Sequence, residues 1–158
     1  MATKRDGETY WGQALHVPLS SDGQVSAYVW PLRILRAGAE GVGGPTIGVD
    51  VGNEEIVRFD CHDTPGHWHG GGYDRMGMPG NSHRNFPEGI ERVADQLAWA
   101  LRQITDKGKE LLEEAEHPSA AQALDPALVQ AGLKAIMAHL ENEGDLRSKA
   151  INDNLIAV

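Results

Sequence analysis

Two β-forming runs, Thr46-Ile47-Gly48-Val49-Asp50-Val51 and Glu54 to Cys61, stand on either side of Gly52-Asn53. A two-residue connection of that composition favours a tight antiparallel hairpin, because glycine and asparagine accept the positive φ angles of the primed turns. The pair commits the chain to an antiparallel sheet. Alternation along the second run places Ile56, Arg58, Asp60 and His62 on one face and Val57, Phe59 and Cys61 on the other. With the apolar face in the core, Arg58, Asp60 and His62 point together at solvent or at a cleft.

Other elements follow from the same kinds of signal. Trp11 to Leu19 is β-compatible but carries Pro18, Ser20 to Gly23 reads as a turn, and Gln24 to Arg36 is a long apolar β run. Pro31 cannot donate to a ladder, so that run lies at an edge or bends there. Residues 37–45 are a glycine-rich connection, and Tyr73 to Phe86 reads as a long loop. Pro87 suits the first position of a helix, and Ile90, Val93, Leu97, Leu101, Ile104, Leu111, Leu112 and Ala115 recur at helical period to about Glu116, with a weak point at Asp106-Lys107-Gly108. Asp125-Pro126 caps a second helix ending near Gly144, and the tail from Asp145 forms a short helix or a docking segment. The expected fold is α+β, an antiparallel meander of about four strands followed by two or three helices packed on one face. Residues 1–116 form the core domain, with a histidine-rich loop over 62–86, and residues 117–158 a C-terminal helical extension.

At 158 residues and 41 % hydrophobic content the chain has material for one core and not for two full domains. Its single cysteine, Cys61, excludes an internal disulfide framework and suggests a cytoplasmic setting; on the apolar face it is expected to be a buried structural thiol. No export signal and no apolar run long enough for a membrane helix are expected. The net charge of −9 disfavours a broad nucleic-acid groove, but its distribution is uneven. From Glu88 onward there are 13 acidic and 7 basic residues, whereas Arg58, Arg75 and Arg84 bracket the histidines.

Three of the seven histidines, His62, His67 and His69, fall within eight positions beside Asp60. This is the chain's densest collection of proton-shuttling groups. His67 and His69, at i and i+2, lie on one side of an extended segment, so a metal such as zinc or manganese is one reading, with Asp60, His62, His67, His69 and His83 as the candidate ligands. No H-E-x-x-H or paired C-x-x-C commits the chain to it. Cofactor-free acid–base chemistry is the other, since histidine titrates near neutral pH and arginine matches phosphate oxygens. In it Arg58, Asp60, His62, His67 and His69 are the catalytic candidates, and Arg75 and Arg84 bind substrate. Surface histidines on a loop held down by Trp68 and Tyr73 are the plain alternative.

At these residues the chain resembles the TumE-like toxin family of bacterial toxin–antitoxin systems. Arg58-Phe59-Asp60 ends a strand, His67-Trp68-His69 follows a short glycine-bearing turn, and an amphipathic helix comes next, over roughly Val49 to Glu116. The chain departs from that pattern in having Phe59 in place of tyrosine and Cys61 in place of asparagine. The resemblance implies a toxin acting on RNA, with a neutralising protein antitoxin as partner and Arg58, Asp60, His67 and His69 in the site.

The expected function is thus a toxin-like ribonuclease with an RNA substrate. His67 and His69, with His62 as a further candidate, act as acid and base, Arg58 holds phosphate and Asp60 orients an imidazole. A non-catalytic acidic antitoxin, immunity or inhibitor component binding a basic protein partner is the rival class, and a metal-dependent hydrolase the third.

Overall fold

Strand alternation resolves into a single antiparallel sheet in the computed structural model, which describes residues 9–35, 41–64 and 66–157. Strands β1 (Thr9–Trp11) and β2 (Leu15–Pro18) pair with successive parts of β3 (Val25–Ile34), followed by β4 (Gly43–Val51), β5 (Glu54–Asp60), β6 (His67–His69) and β7 (His83–Arg84). The order is β1-β3-β4-β5-β6-β7, with β2 also on β3. Strands β3 to β6 are the expected meander, and Gly52-Asn53 is its β4–β5 turn. The glycine-rich connection lies partly outside the described residues, and Gly43 to Pro45 belong to β4.

Helices α1 (Pro79–Ser82), α2 (Val93–Glu114), α3 (Pro118–Ala123), α4 (Pro126–Glu143) and α5 (Leu146–Asn152) complete the α+β fold. Ala100, Ile104 and Leu112 of α2, Ala121 of α3, and Leu133 and Ile136 of α4 share one core with Val17, Ala27, Val29, Ile47, Val49, Val57 and Phe59 of the sheet. Leu32 and Ile34 pack with Ala150 of α5 and with Ile156. The apolar stripe of each long helix is therefore buried against one face of the sheet. Asp125 caps α4 by accepting from Ala127 N at 2.9 Å, and α4 ends at Gly144 with φ of 81°. Lys107 departs from helical geometry at the expected weak point of α2. Among the described residues no helix is long and apolar enough to cross a membrane.

Two expectations about element boundaries are corrected. The first long helix begins at Val93 rather than Pro87, because Gly89 takes a positive φ of 87° that no right-handed helix admits, and Pro87 instead opens a turn closed by Ile90 N on Pro87 O. Residues 73–86 are not a free loop. Tyr73 N and Asp74 N donate to Ile56 O and Glu55 O along the edge of β5, and α1 and β7 follow.

Bulges shape the face opposite the helices. Between the Trp30–Thr46 and Arg33–Gly44 pairs β3 carries one residue more than β4, and between Val49–Val57 and Asp50–Glu55 the extra residue is Ile56 of β5. A single inserted residue moves everything beyond it to the other face. Arg33 thereby joins Trp30 and Thr46, and Glu55 takes the place expected for Ile56 beside Arg58, while Ile56 goes to the core. Gly48 on that face has no Cβ because one would lie 2.2 Å from the Tyr28 ring. Tyr28 can then lie across the sheet and donate to Glu55 Oε2 at 2.6 Å.

Candidate active site

The two triplets singled out in the sequence are cross-strand partners: Arg58 faces His69, Phe59 faces Trp68 and Asp60 faces His67. On the core side Phe59 and Trp68 stack with ring centroids 5.4 Å apart, and Trp99 of α2 meets both edge-on. This aromatic packing fixes the register that brings the polar partners together. β7 continues the row by setting His83 opposite His69.

Asp60 is at the centre and only 1 % exposed. Its Oδ1 accepts from Arg33 Nη1 at 2.6 Å and from Thr46 Oγ1 at 3.0 Å. Its Oδ2 faces His67 Nε2 at 3.2 Å and His69 Nε2 at 3.5 Å. Burial alone would raise the Asp60 pKa, but hydrogen bonds from His67 and His69 and the charge of Arg33 hold it well below the usual carboxylate range. Asp60 is a fixed anion.

The two imidazoles are 4.9 Å apart between centroids and nearly perpendicular, and His83 stacks on His67 at 4.8 Å. His69 is buried, its Nδ1 is 3.1 Å from Ser82 Oγ, and burial lowers its pKa despite Asp60. His67 is half-buried and more open to solvent. Both line a cavity of about 140 Å³, together with Arg33, Arg58, Asp60, Tyr73 and His83. That is room for a phosphate-sized group, about five waters at roughly 30 Å³ each.

Arg58 is fully buried rather than turned to solvent. Tyr73 lies over its guanidinium at 4.5 Å, and Glu55 Oε1 lies 2.8 Å from Nε. Although buried, Arg58 lines the cavity.

His62, Arg75 and Arg84 are not brought to the cavity. His62 follows the end of β5, is buried with Nε2 3.8 Å from Asp60 Oδ1, and burial pushes its pKa down to about 4. It is a neutral buried imidazole. Arg84 makes a two-pronged ion pair with Glu114, and Arg75 pairs with Glu116 at 3.4 Å. Cys61 is buried, and burial raises its pKa, as expected of a structural thiol.

Arg33, Thr46, Ser82 and Gln96 join the site without any motif in the sequence to mark them. Gln96 of α2 donates to Asp63 O at 2.8 Å and Glu91 O at 3.1 Å and accepts from Asp63 N, clamping the β5–β6 turn onto the helix. Gly66 leaves the space for it, since a Cβ there would lie 2.4 Å from Gln96 Nε2. A larger cavity of about 830 Å³ lies between the start of α2 and the α4–α5 turn. It gathers Arg92, Asp145 and Arg147 but no converging set of histidines.

Residues 31–140, which contain every residue of the Asp60 cluster, match the family model described as Domain of unknown function (DUF7700). No curated protein and no solved structure matches the chain.

Proposed function

This chain belongs to the DUF7700 family, and we propose that it is a toxin-like ribonuclease that cleaves RNA by acid–base chemistry at the Asp60 cluster. One observation carries the reading: His67 and His69 meet on the same oxygen of a buried, ionised carboxylate, in a cavity also lined by two buried arginines. His69, neutral at working pH, takes the proton of a 2′-hydroxyl as O2′ bonds to phosphorus. His67, the more open ring, gives a proton to the 5′-oxygen as the P–O5′ bond breaks. The products are a 2′,3′-cyclic phosphate and a 5′-hydroxyl end. Arg58 supplies a donor to the phosphate, and its planar fork suits the charge that develops there. Asp60 is a positioning residue that fixes both rings. A neutralising protein partner belongs to the same proposal.

The test compares an RNA oligonucleotide with its fully 2′-deoxy counterpart in chelator-treated buffer. The RNA alone should be cut, leaving cyclic phosphate ends. Intact RNA, or equal cleavage of both strands, overturns the proposal.

A further inference from the structure

The same three side chains also have the dimensions of a metal site, and we infer that Asp60, His67 and His69 bind one zinc-like divalent cation. This inference is independent of the ribonuclease reading. Metal-to-ligand distances of about 2.0–2.1 Å in a tetrahedral site place neighbouring ligand atoms roughly 3.3 Å apart. Asp60 Oδ2 is 3.2 Å from His67 Nε2 and 3.5 Å from His69 Nε2. The three ligand atoms all lie within 4.8 Å of one another. An ion can therefore enter with side-chain movements that draw the three ligand atoms closer together.

The surroundings agree with the dimensions. Arg33 and Thr46 occupy Asp60 Oδ1 and leave Oδ2 as a single ligand oxygen. Ser82 Oγ, 3.1 Å from His69 Nδ1, holds that ring through its other nitrogen, the usual support for a ligating imidazole. Three protein ligands beside a cavity of about 140 Å³ leave the fourth position for water or an anion, the open arrangement rather than a closed structural site. Two nitrogens and one oxygen suit zinc, cobalt or nickel, and are poor for magnesium and calcium, which prefer oxygen alone. Arg33 and Arg58 repel a cation, so binding should be reversible and removable by chelators. The ligand set is narrower than the five candidates of the sequence. His62 lies on the side of Oδ1, and His83 stacks on His67.

Calorimetric titration of zinc chloride into the full chain tests the inference, with the visible spectrum of the cobalt(II) form as a second readout. One ion per chain with a tetrahedral cobalt spectrum is expected, undiminished by excess magnesium. His67→Gln, at the half-buried ring, should abolish saturable binding, and Ser82→Ala should weaken it about tenfold. Circular dichroism of each variant verifies folding. Absence of saturable binding to the wild type, or unchanged binding in a folded His67→Gln variant, overturns the site.

Cleavage measured with zinc and with chelator separates this inference from the ribonuclease proposal. Binding with inhibition of cleavage supports both. Binding with activation supports the site and overturns the metal-free mechanism. Binding without any cleavage supports the site and overturns the ribonuclease. Cleavage without binding overturns the site alone.

Discussion

At the residue scale, Asp60 is the most demanding position in the molecule, a buried carboxylate whose charge depends on its neighbours. Arg33→Met removes the cation at 2.6 Å and leaves that charge buried, which should cost about 3–5 kcal/mol of folding stability in denaturant titrations. Arg33→Met combined with Asp60→Leu should recover most of the loss, giving a large coupling energy in the double-mutant cycle. His62 makes a pH prediction. Its folded pKa of about 4 lies below its ordinary 6.5, so its contribution is fully present above pH 6.5 and lost as pH falls from 6.5 to about 4. The loss is about 3 kcal/mol as an order of magnitude. His69 is shifted in the same direction. A His62→Gln variant should therefore flatten the acid side of the stability profile without levelling it, as measured by denaturation at a series of pH values. A variant as acid-sensitive as the wild type would contradict the neutral buried ring.

At the scale of elements, the site is made by registers. The β4–β5 hairpin was legible because its turn residues and its alternation agree, and the i, i+2 spacing of His67 and His69 put both on one side of an extended segment, but nothing local marked that segment as a strand paired with β5 opposite Asp60. The bulges were not legible, because one inserted residue leaves little local signal. Pro31 marked a bend, yet nothing near Ile56 announced that Glu55 would replace it beside Arg58. Arg33 was hidden for the same reason, since simple alternation from Trp30 puts it in the core. Long-range contacts were equally silent: nothing near Arg75 or Arg84 in the sequence marks Glu116 and Glu114, at and just beyond the end of α2, as their partners. The turn between β5 and β6 depends on its clamp to α2. Gly66→Ala forces a methyl against Gln96 and should lower stability by about 1–3 kcal/mol, read as a fall in Tm. Gln96→Leu leaves Asp63 N and O without the partner that now satisfies them, so it should also destabilise.

At the scale of the molecule, a net charge of −9 favours a small cationic site over a broad one for any contact with RNA. With Arg33 and Arg58 the fixed cations that line the cavity among the described residues, about one or two phosphates should be neutralised. The slope of log K against log salt for single-stranded RNA should then be about −0.7 to −1.4. A steep slope, measured by fluorescence anisotropy across salt concentrations, would indicate an extended interface elsewhere. The acidic end of α2 does not supply a wholly free surface for a basic partner, because Glu114 and Glu116 are already engaged by arginines of the same chain.

The proposal that His67 and His69, which converge on Asp60, act as one proton-transfer site is tested most directly by single-turnover cleavage of an RNA oligonucleotide by the wild type and by folded His67→Ala and His69→Ala variants. The rate should fall about 10²- to 10⁴-fold in each variant, with cyclic phosphate ends in the wild-type product. A wild type that leaves RNA intact, or variants that cleave it at the wild-type rate, would contradict the assignment.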